Sequence, residues 1–253
     1  MTEALFLDDA TLLACEARLT AVGESGIELD RSVFYPQGGG QAGDTGRLYR
    51  ADGAVLTITD TRKGSAAGQI LHCVAAGSDL SGWAVGLAVR AEIDAARRLA
   101  HRRFHTATHL LCALVPYPVD GCSITAGHAR LDFHMTEALD KDALSAGIAR
   151  LVAGAHPVTQ RWISDAALDA NPGLVRSMSV QPPRGQGRVR LIEIAGVDLQ
   201  PCGGTHVVNT AEIGAVVVTR IEKKSAQTRR VVLGFALSSG NQPGASQPLT
   251  APA

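Results

Sequence analysis

The sequence predicts an α+β protein: a small, mostly β N-terminal domain followed by an α+β domain in which a long helix packs on a mainly antiparallel sheet. Three observations lead there. Residues 1 to about 90 are short β-type runs broken by glycine-containing turns. From Asp94 to Val115 there is neither Gly nor Pro, and apolar residues recur at helical spacing. After a second helical segment, the remainder returns to β-type runs.

In the first region the runs are IELDRSVFY, RLYRADGAVLTITDTR, QILHCVAAG and WAVGLAVRAEI. In the long helix Asp94 is a natural N-cap, Phe104, Ala107, Leu111, Leu114 and Val115 mark the buried stripe, and Pro116 stops it. Such a helix is about 33 Å long and serves as the spine of the second domain. SITAGHARLDFHM reads as a hairpin around Ala126 and Gly127. DKDALSAGIARLVAGAHP reads as a helix that turns Leu144, Ile148, Leu151 and Val152 inward and stops at Gly154 and Pro157. An irregular stretch follows, then strands at RVRLIEI, IGAVVVTRIEKK and RRVVLGFAL, with a turn near Ser225 to Thr228. The division expected is 1–92, 93–237 and a disordered tail at 238–253, which has almost no large apolar groups.

The length of 253 residues allows two domains with real cores. Apolar content of 45% with 19% charged residues fits a globular chain, and aromatic content of 4% leaves the packing to aliphatic residues. The formal net charge is zero, which does not exclude an anionic partner, because binding depends on where the positive charge lies. Five widely spaced cysteines show no disulfide framework and point to a reducing cytoplasm. The opening MTEALFLDDATLLACEARL has no basic region leading into an apolar one, and no segment is apolar for long enough to span a bilayer. Neither secretion nor membrane insertion is expected.

The chemistry lies in two clusters. In HTATHLL, residues 105 to 111, His105 and His109 are four positions apart on a helix, so both imidazoles point the same way and can share one small partner. In PCGGTH, residues 201 to 206, Cys202 and His206 flank two glycines and a threonine, after a GVDLQ segment that reads as an irregular loop. Either pair alone is weak. Together they offer three nitrogens and one sulfur, a donor set that suits tetrahedral zinc. Four protein ligands would also fill that shell, so a closed structural zinc stays open as an alternative. His101, one turn before His105, drifts off the shared face and reads as a surface or substrate-facing residue. Cys112 reads as a small buried hydrophobe.

Positive charge recurs beside each piece: Arg97, Arg98, Arg102 and Arg103 on the helix, Arg184, Arg188 and Arg190 before the cysteine loop, Lys223, Lys224, Arg229 and Arg230 around the final turn. Such groupings usually mark a solvated face, but their recurrence suggests a polyanion docking beside the metal site. Gly38, Gly39 and Gly40 read as a tight turn, with Gln41 and Asp44 following.

HTATHLL with PCGGTHVVNTAEIG resembles the editing domain of alanyl-tRNA synthetases and the alanyl-tRNA editing proteins called AlaX; FYPQGGGQAGDTG, residues 34 to 46, resembles the glycine-rich motif of their longer members. The likeness runs from about residue 5 to about residue 236. It implies that His105, His109, Cys202 and His206 hold zinc, and that the reaction is hydrolysis of the ester between a wrong amino acid, chiefly serine and sometimes glycine, and alanine tRNA. It also implies that the N-terminal region is a β-barrel-like companion to an editing domain, and that the protein is a trans-acting cytoplasmic deacylase whose partner is the tRNA acceptor end, with no DNA and no membrane. On this likeness Gln41 hydrogen-bonds substrate or tRNA from a loop facing the pocket. Thr106, Thr108 and Thr205 lie beside ligands and either contact a serine hydroxyl or stabilise the helix face and the loop; Gln41 and Thr106 are the expected catalytic residues. The VDGCSITAGHARLDF segment takes the place of a pocket-lining hairpin but aligns poorly, so no specificity residue is transferred to it. Other readings are editing of a threonyl-type substrate, since those editing domains share both motifs, a non-catalytic RNA-binding module with structural zinc, and a cysteine hydrolase using Cys202 with His206 as base.

Overall fold

The structure, a computed structural model, describes residues 1–176 and 187–236. Arg184 and the expected disordered tail at 238–253 lie outside the described residues.

The N-terminal strands are β1 (Glu3–Ala4), β2 (Ala14–Gly23), β3 (Gly26–Leu29), β4 (Arg31–Ser32), β5 (Gly46–Tyr49), β6 (Val55–Lys63), β7 (Ile70–Val74) and β8 (Ala88–Ile93). β1 pairs in parallel with β4, and the other six close an antiparallel barrel in the order β2-β3-β7-β6-β5-β8. Alternation places Leu19, Ile27, Leu29, Leu48, Ile58 and Val89 inside, each almost fully buried. The barrel agrees with the mostly β reading of the pattern and with the barrel that the resemblance implies. Its strand β2 was not legible, because the only apolar residues between Glu16 and Thr20 are Ala17 and Leu19.

Next comes α1 (Ala95–Leu114), capped by Asp94, whose Oδ1 accepts from the Arg97 backbone N–H at 3.0 Å, and ended at Val115 before Pro116. Then follow β9 (Val119–Ile124), β10 (Ala129–His134), α2 (Lys141–Ala153), β11 (Val158–Ser164), the single-turn α3 (Asp165–Asp169), β12 (Arg188–Ile194), β13 (Asp198–Pro201), β14 (Val216–Ser225) and β15 (Thr228–Phe235). One antiparallel sheet runs β14-β15-β10-β9 and a second β11-β12-β13. Phe104, Ala107, Leu110 and Leu111 of α1 share a core with Ile148 of α2, Leu131 and Phe133 of β10, and Val231 and Leu233 of β15. Burying a leucine such as Leu111 contributes roughly 1.5–3 kcal/mol.

Two segments differ from the sequence reading. Residues 158–164, taken as irregular, form β11, where the mix of Val, Thr, Gln, Arg and Trp hides the alternation. The GVDLQ segment, taken as a loop, contributes β13, four residues long and paired with β12. Among the described residues no helix is long and apolar enough to cross a membrane, and all five cysteines are free.

A buried ion pair fastens the barrel to α1. Asp44 and Arg98 are each 1% exposed. Arg98 Nη2 and Nε donate to the Asp44 carboxylate, Nη2 also to Val33 O at 2.5 Å and Nη1 to Ala10 O at 3.1 Å, while Tyr35 N–H donates to Asp44 Oδ2 at 2.7 Å. Burial alone would raise the Asp44 carboxyl, but hydrogen bonding and the Arg98 charge hold it below the usual carboxylate range. Asp44, weighed as a turn residue, is therefore structural. His101 corrects the surface expectation: it is fully buried, with Nδ1 3.8 Å from Asp44 Oδ1.

The arginine groupings correct another expectation. Arg98, Arg102, Arg190 and Arg229 are buried and hydrogen-bond within the protein rather than facing solvent. Arg130, Lys224 and Arg230 all pair with one carboxylate, Asp132.

Candidate metal centre

α1 and the loop after β13 bring the two sequence clusters together. The ligand atoms of His105, His109, Cys202 and His206 all lie within 4.8 Å of one another. Cys202 Sγ is 3.3 Å from His105 Nε2 and 3.3 Å from His206 Nε2. The three histidines are 4–5% exposed and Cys202 is half-buried. The loop can close this tightly because Gly204 has no side chain: a Cβ there would stand 2.0 Å from His105 Cε1.

Each imidazole is held by its other nitrogen. His105 Nδ1 is 2.8 Å from Gln41 Oε1, which also accepts from the Thr205 backbone N–H at 3.1 Å. An oxygen that accepts from the main chain accepts from the ring too, so Nδ1 carries the hydrogen and Nε2 is left for a ligand. His109 Nδ1 donates to Asp198 Oδ2 at 2.9 Å. Thr106 Oγ1 donates to Arg102 O at 2.9 Å and so can accept from His206 Nδ1 at 3.2 Å. All three Nε2 atoms are thereby turned to the same point as the sulfur. The residues around metal-bound histidines commonly have this pattern.

The four side chains are electrostatically coupled. Burial alone would raise the Cys202 thiol, but His105 and His206 hold it well below the range of a free thiol. Burial likewise would depress His109, but hydrogen bonds to Asp198 and Cys202 raise it to about 9. Burial and the neighbouring His105 push His206 well below an ordinary imidazole. A tetrahedral zinc with bonds of about 2.0–2.3 Å separates its ligand atoms by roughly 3.3–3.6 Å, so the donor set and the observed sulfur–nitrogen spacing fit that ion.

The other candidates fall into place around this cluster. Gln41 and Thr106, expected to be catalytic, are both 0% exposed, with their polar atoms engaged by ligand side chains and the ligand loop. Thr108 Oγ1 donates to His105 O at 2.7 Å, and Thr205 Oγ1 meets the Gln41 amide. The glycine-rich loop reaches the site by docking on β9, with Ala42 N–H donating to Ile124 O and Ile124 N–H to Gly40 O. Gly40 has φ +86°, and a Cβ there would meet Cys122 Sγ at 2.8 Å, which requires glycine. The sequence reading missed Asp198, since nothing in a short strand marks one carboxylate as the partner of a histidine 89 residues away. Arg102 and Arg190, grouped in the sequence with charge that docks a polyanion, instead hold the loop: Arg102 Nε donates to His206 O at 2.8 Å, and Arg190 Nη1 to Gly204 O at 2.8 Å. Replacing Asp198 by Ala is expected to weaken metal binding by about 10- to 100-fold, measured by competition with a chromophoric chelator, because His109 then loses its orienting carboxylate.

On the His206 side a crevice of about 270 Å³ opens between residues 8–11 and the β11–β12 pair, with Gln160, Arg190 and Ile192 on the sheet side.

Residues 189–232, which contain Cys202 and His206, match the family model of the threonyl and alanyl tRNA synthetase second additional domain, and residues 6–97 match that of class II (A) tRNA synthetases. The chain is 33% identical to the alanyl-tRNA editing protein AlaX-M of Methanosarcina barkeri, over 91% of its own length and 98% of that relative's, and 34% identical to AlaX-M of Saccharolobus solfataricus over the same shares. It is also 32% identical to the alanine–tRNA ligase of Methanothermobacter thermautotrophicus, covering 26% of that longer protein. The chain belongs to the AlaX-M family of alanyl-tRNA editing proteins.

Proposed function

We propose that this protein hydrolyses, in trans, the ester joining a wrong amino acid to alanine tRNA, with serine the first substrate and glycine the second, and that zinc is its cofactor. The observation that carries this reading is the convergence of His105, His109, Cys202 and His206 in a chain aligned with nearly the whole of an alanyl-tRNA editing protein. Action in trans is supported by the kind of relative matched along 98% of its own length, which is an alanyl-tRNA editing protein and not a ligase.

An aminoacyl ester is already activated, so the enzyme's task is mainly to orient it and to admit one water. Zinc held by the four side chains would supply a Lewis acid beside the ester. The chain's own residues do the rest. Gln41, Thr106 and Asp198 fix the three imidazole rings, which makes them positioning residues rather than groups that touch substrate. Arg102 and Arg190 hold the backbone of the ligand loop. The crevice admits the aminoacyl end from the His206 side.

The test is to incubate the purified protein with seryl-, glycyl- and alanyl-charged alanine tRNA before and after chelation. Rapid release of serine that stops on metal removal and returns with zinc is the expected result. Failure to release an amino acid from any of the three overturns the proposal. A second reading, a non-catalytic RNA-binding module with structural zinc, draws on the fact that four protein ligands fill a tetrahedral shell. It predicts RNA binding without turnover. A threonyl-type substrate is less well supported, because the FYPQGGGQ segment and the AlaX-M relatives point to the alanyl branch.

A further inference from the structure

The floor of the crevice continues beyond it. Pairing of β11 with β12 runs without a register shift from Val158 opposite Ile194 to Ser164 opposite Arg188. Val158, Gln160 and Trp162 therefore share one face with Ile192, Arg190 and Arg188. Along that face Arg190 touches the ligand loop through Gly204 O and grips Gln160 Oε1 at 2.6 Å. Trp162 lies roughly 7 Å further along the strand than Gln160. It is half-buried, and the exposed Arg188 guanidinium is stacked over its ring, 4.4 Å from the centroid. The protein's other tryptophan, Trp83, belongs to the barrel core.

An indole with a guanidinium beside it, on a sheet face leading to the site, has the chemistry of a single-stranded nucleic-acid platform. The guanidinium plane stacked on the indole takes a base on its outer side irrespective of sequence, and its edge N–H groups meet a phosphate. The opposite wall of the crevice has the opposite sign. Asp8 and Asp9 line it, and their carboxylates repel phosphate but suit an ammonium group. We infer that the Trp162–Arg188 stack docks the single-stranded 3′ end of the RNA substrate, with a base against the stack, a phosphate at Arg188 and the ammonium of the aminoacyl end directed inward. This inference rests on the tRNA-ester reading above.

Two measurements test it with the full chain: anisotropy of a labelled, uncharged RNA tetranucleotide ending in CCA, and steady-state deacylation of seryl-charged alanine tRNA. Trp162→Ala and Arg188→Ala are each expected to weaken the oligonucleotide and to raise KM by on the order of tenfold, with kcat unchanged. Trp162→Phe, which keeps a π-face, should stay near wild type. Arg188 is exposed, so Arg188→Ala serves as the variant that folds if Trp162→Ala does not. Equal oligonucleotide affinity in wild type and Arg188→Ala, or no binding by wild type, overturns the inference whatever the deacylation result. RNA binding lost in the variants without deacylation by wild type leaves this docking site standing and removes the proposed function instead.

Discussion

His109→Ala is expected to lose bound zinc and to lower deacylation of seryl-charged alanine tRNA by roughly a hundredfold or more, without unfolding the protein. The variant removes one of four donors and leaves Asp198 without its imidazole partner. Its effect on stability should be moderate, because Asp198 keeps a hydrogen bond from Gln200 Nε2 at 2.7 Å and Arg176 lies 3.8 Å from its other oxygen. Metal analysis, circular dichroism and a deacylation assay on one preparation check all three points. An RNA-binding module would lose zinc and keep its affinity for tRNA, with no turnover to lose in the first place. A hydrolase that uses the Cys202 thiol as nucleophile would respond to alkylation and be indifferent to chelators.

Asp44→Ala carries the largest expected effect on stability. It strands the Arg98 guanidinium in a dry interface with only the Val33 and Ala10 carbonyls as partners. Removing one member of a buried pair costs about 3–5 kcal/mol, which in a chain of this size lowers Tm by on the order of 10 °C. The sign of the pH dependence follows from the depressed Asp44 carboxyl. A carboxylate held below its unfolded value stabilises the fold above that value, near pH 4, and the contribution is lost as pH falls through the folded one. Wild type should accordingly lose stability more steeply than Asp44→Ala below about pH 4. Asp44 sits three residues from Gln41, so the variant is also expected to loosen the hydrogen bond that fixes His105. Thermal melts across pH, with the Arg98→Met, Asp44→Ala double variant regaining part of the loss, separate the ion pair from general damage to the barrel.

These two residues show where the sequence was legible and where it was not. His109 stood out because helical periodicity is local: caps at Asp94 and Pro116 and an apolar stripe fix which way residue 109 faces. The HxxxH and CxxxH pairs were informative for the same reason, as short spacings that chemistry needs. Asp44 and Arg98 could not be paired, since their contact spans 54 residues and depends on how the barrel meets α1. Arg102 and Arg190 looked like surface charge, because composition does not reveal that a cation turns inward to hold a loop carbonyl. His101 was misjudged by treating the helix as if only the metal side were covered, when the barrel buries the neighbouring face as well. Strand β11 was lost because its burial alternates while its hydropathy does not: the covered face carries Gln160 between Val158 and Trp162, and the other face carries Ile163 beside exposed Thr159 and Arg161.

Zinc K-edge absorption of the purified protein decides whether one thiolate and three imidazoles meet at a single ion. The expected spectrum has one sulfur at about 2.3 Å and three nitrogens at about 2.0 Å, with the sulfur contribution gone in Cys202→Ser. A shell of light atoms alone in the wild-type protein, or a sulfur signal that survives Cys202→Ser, would contradict it.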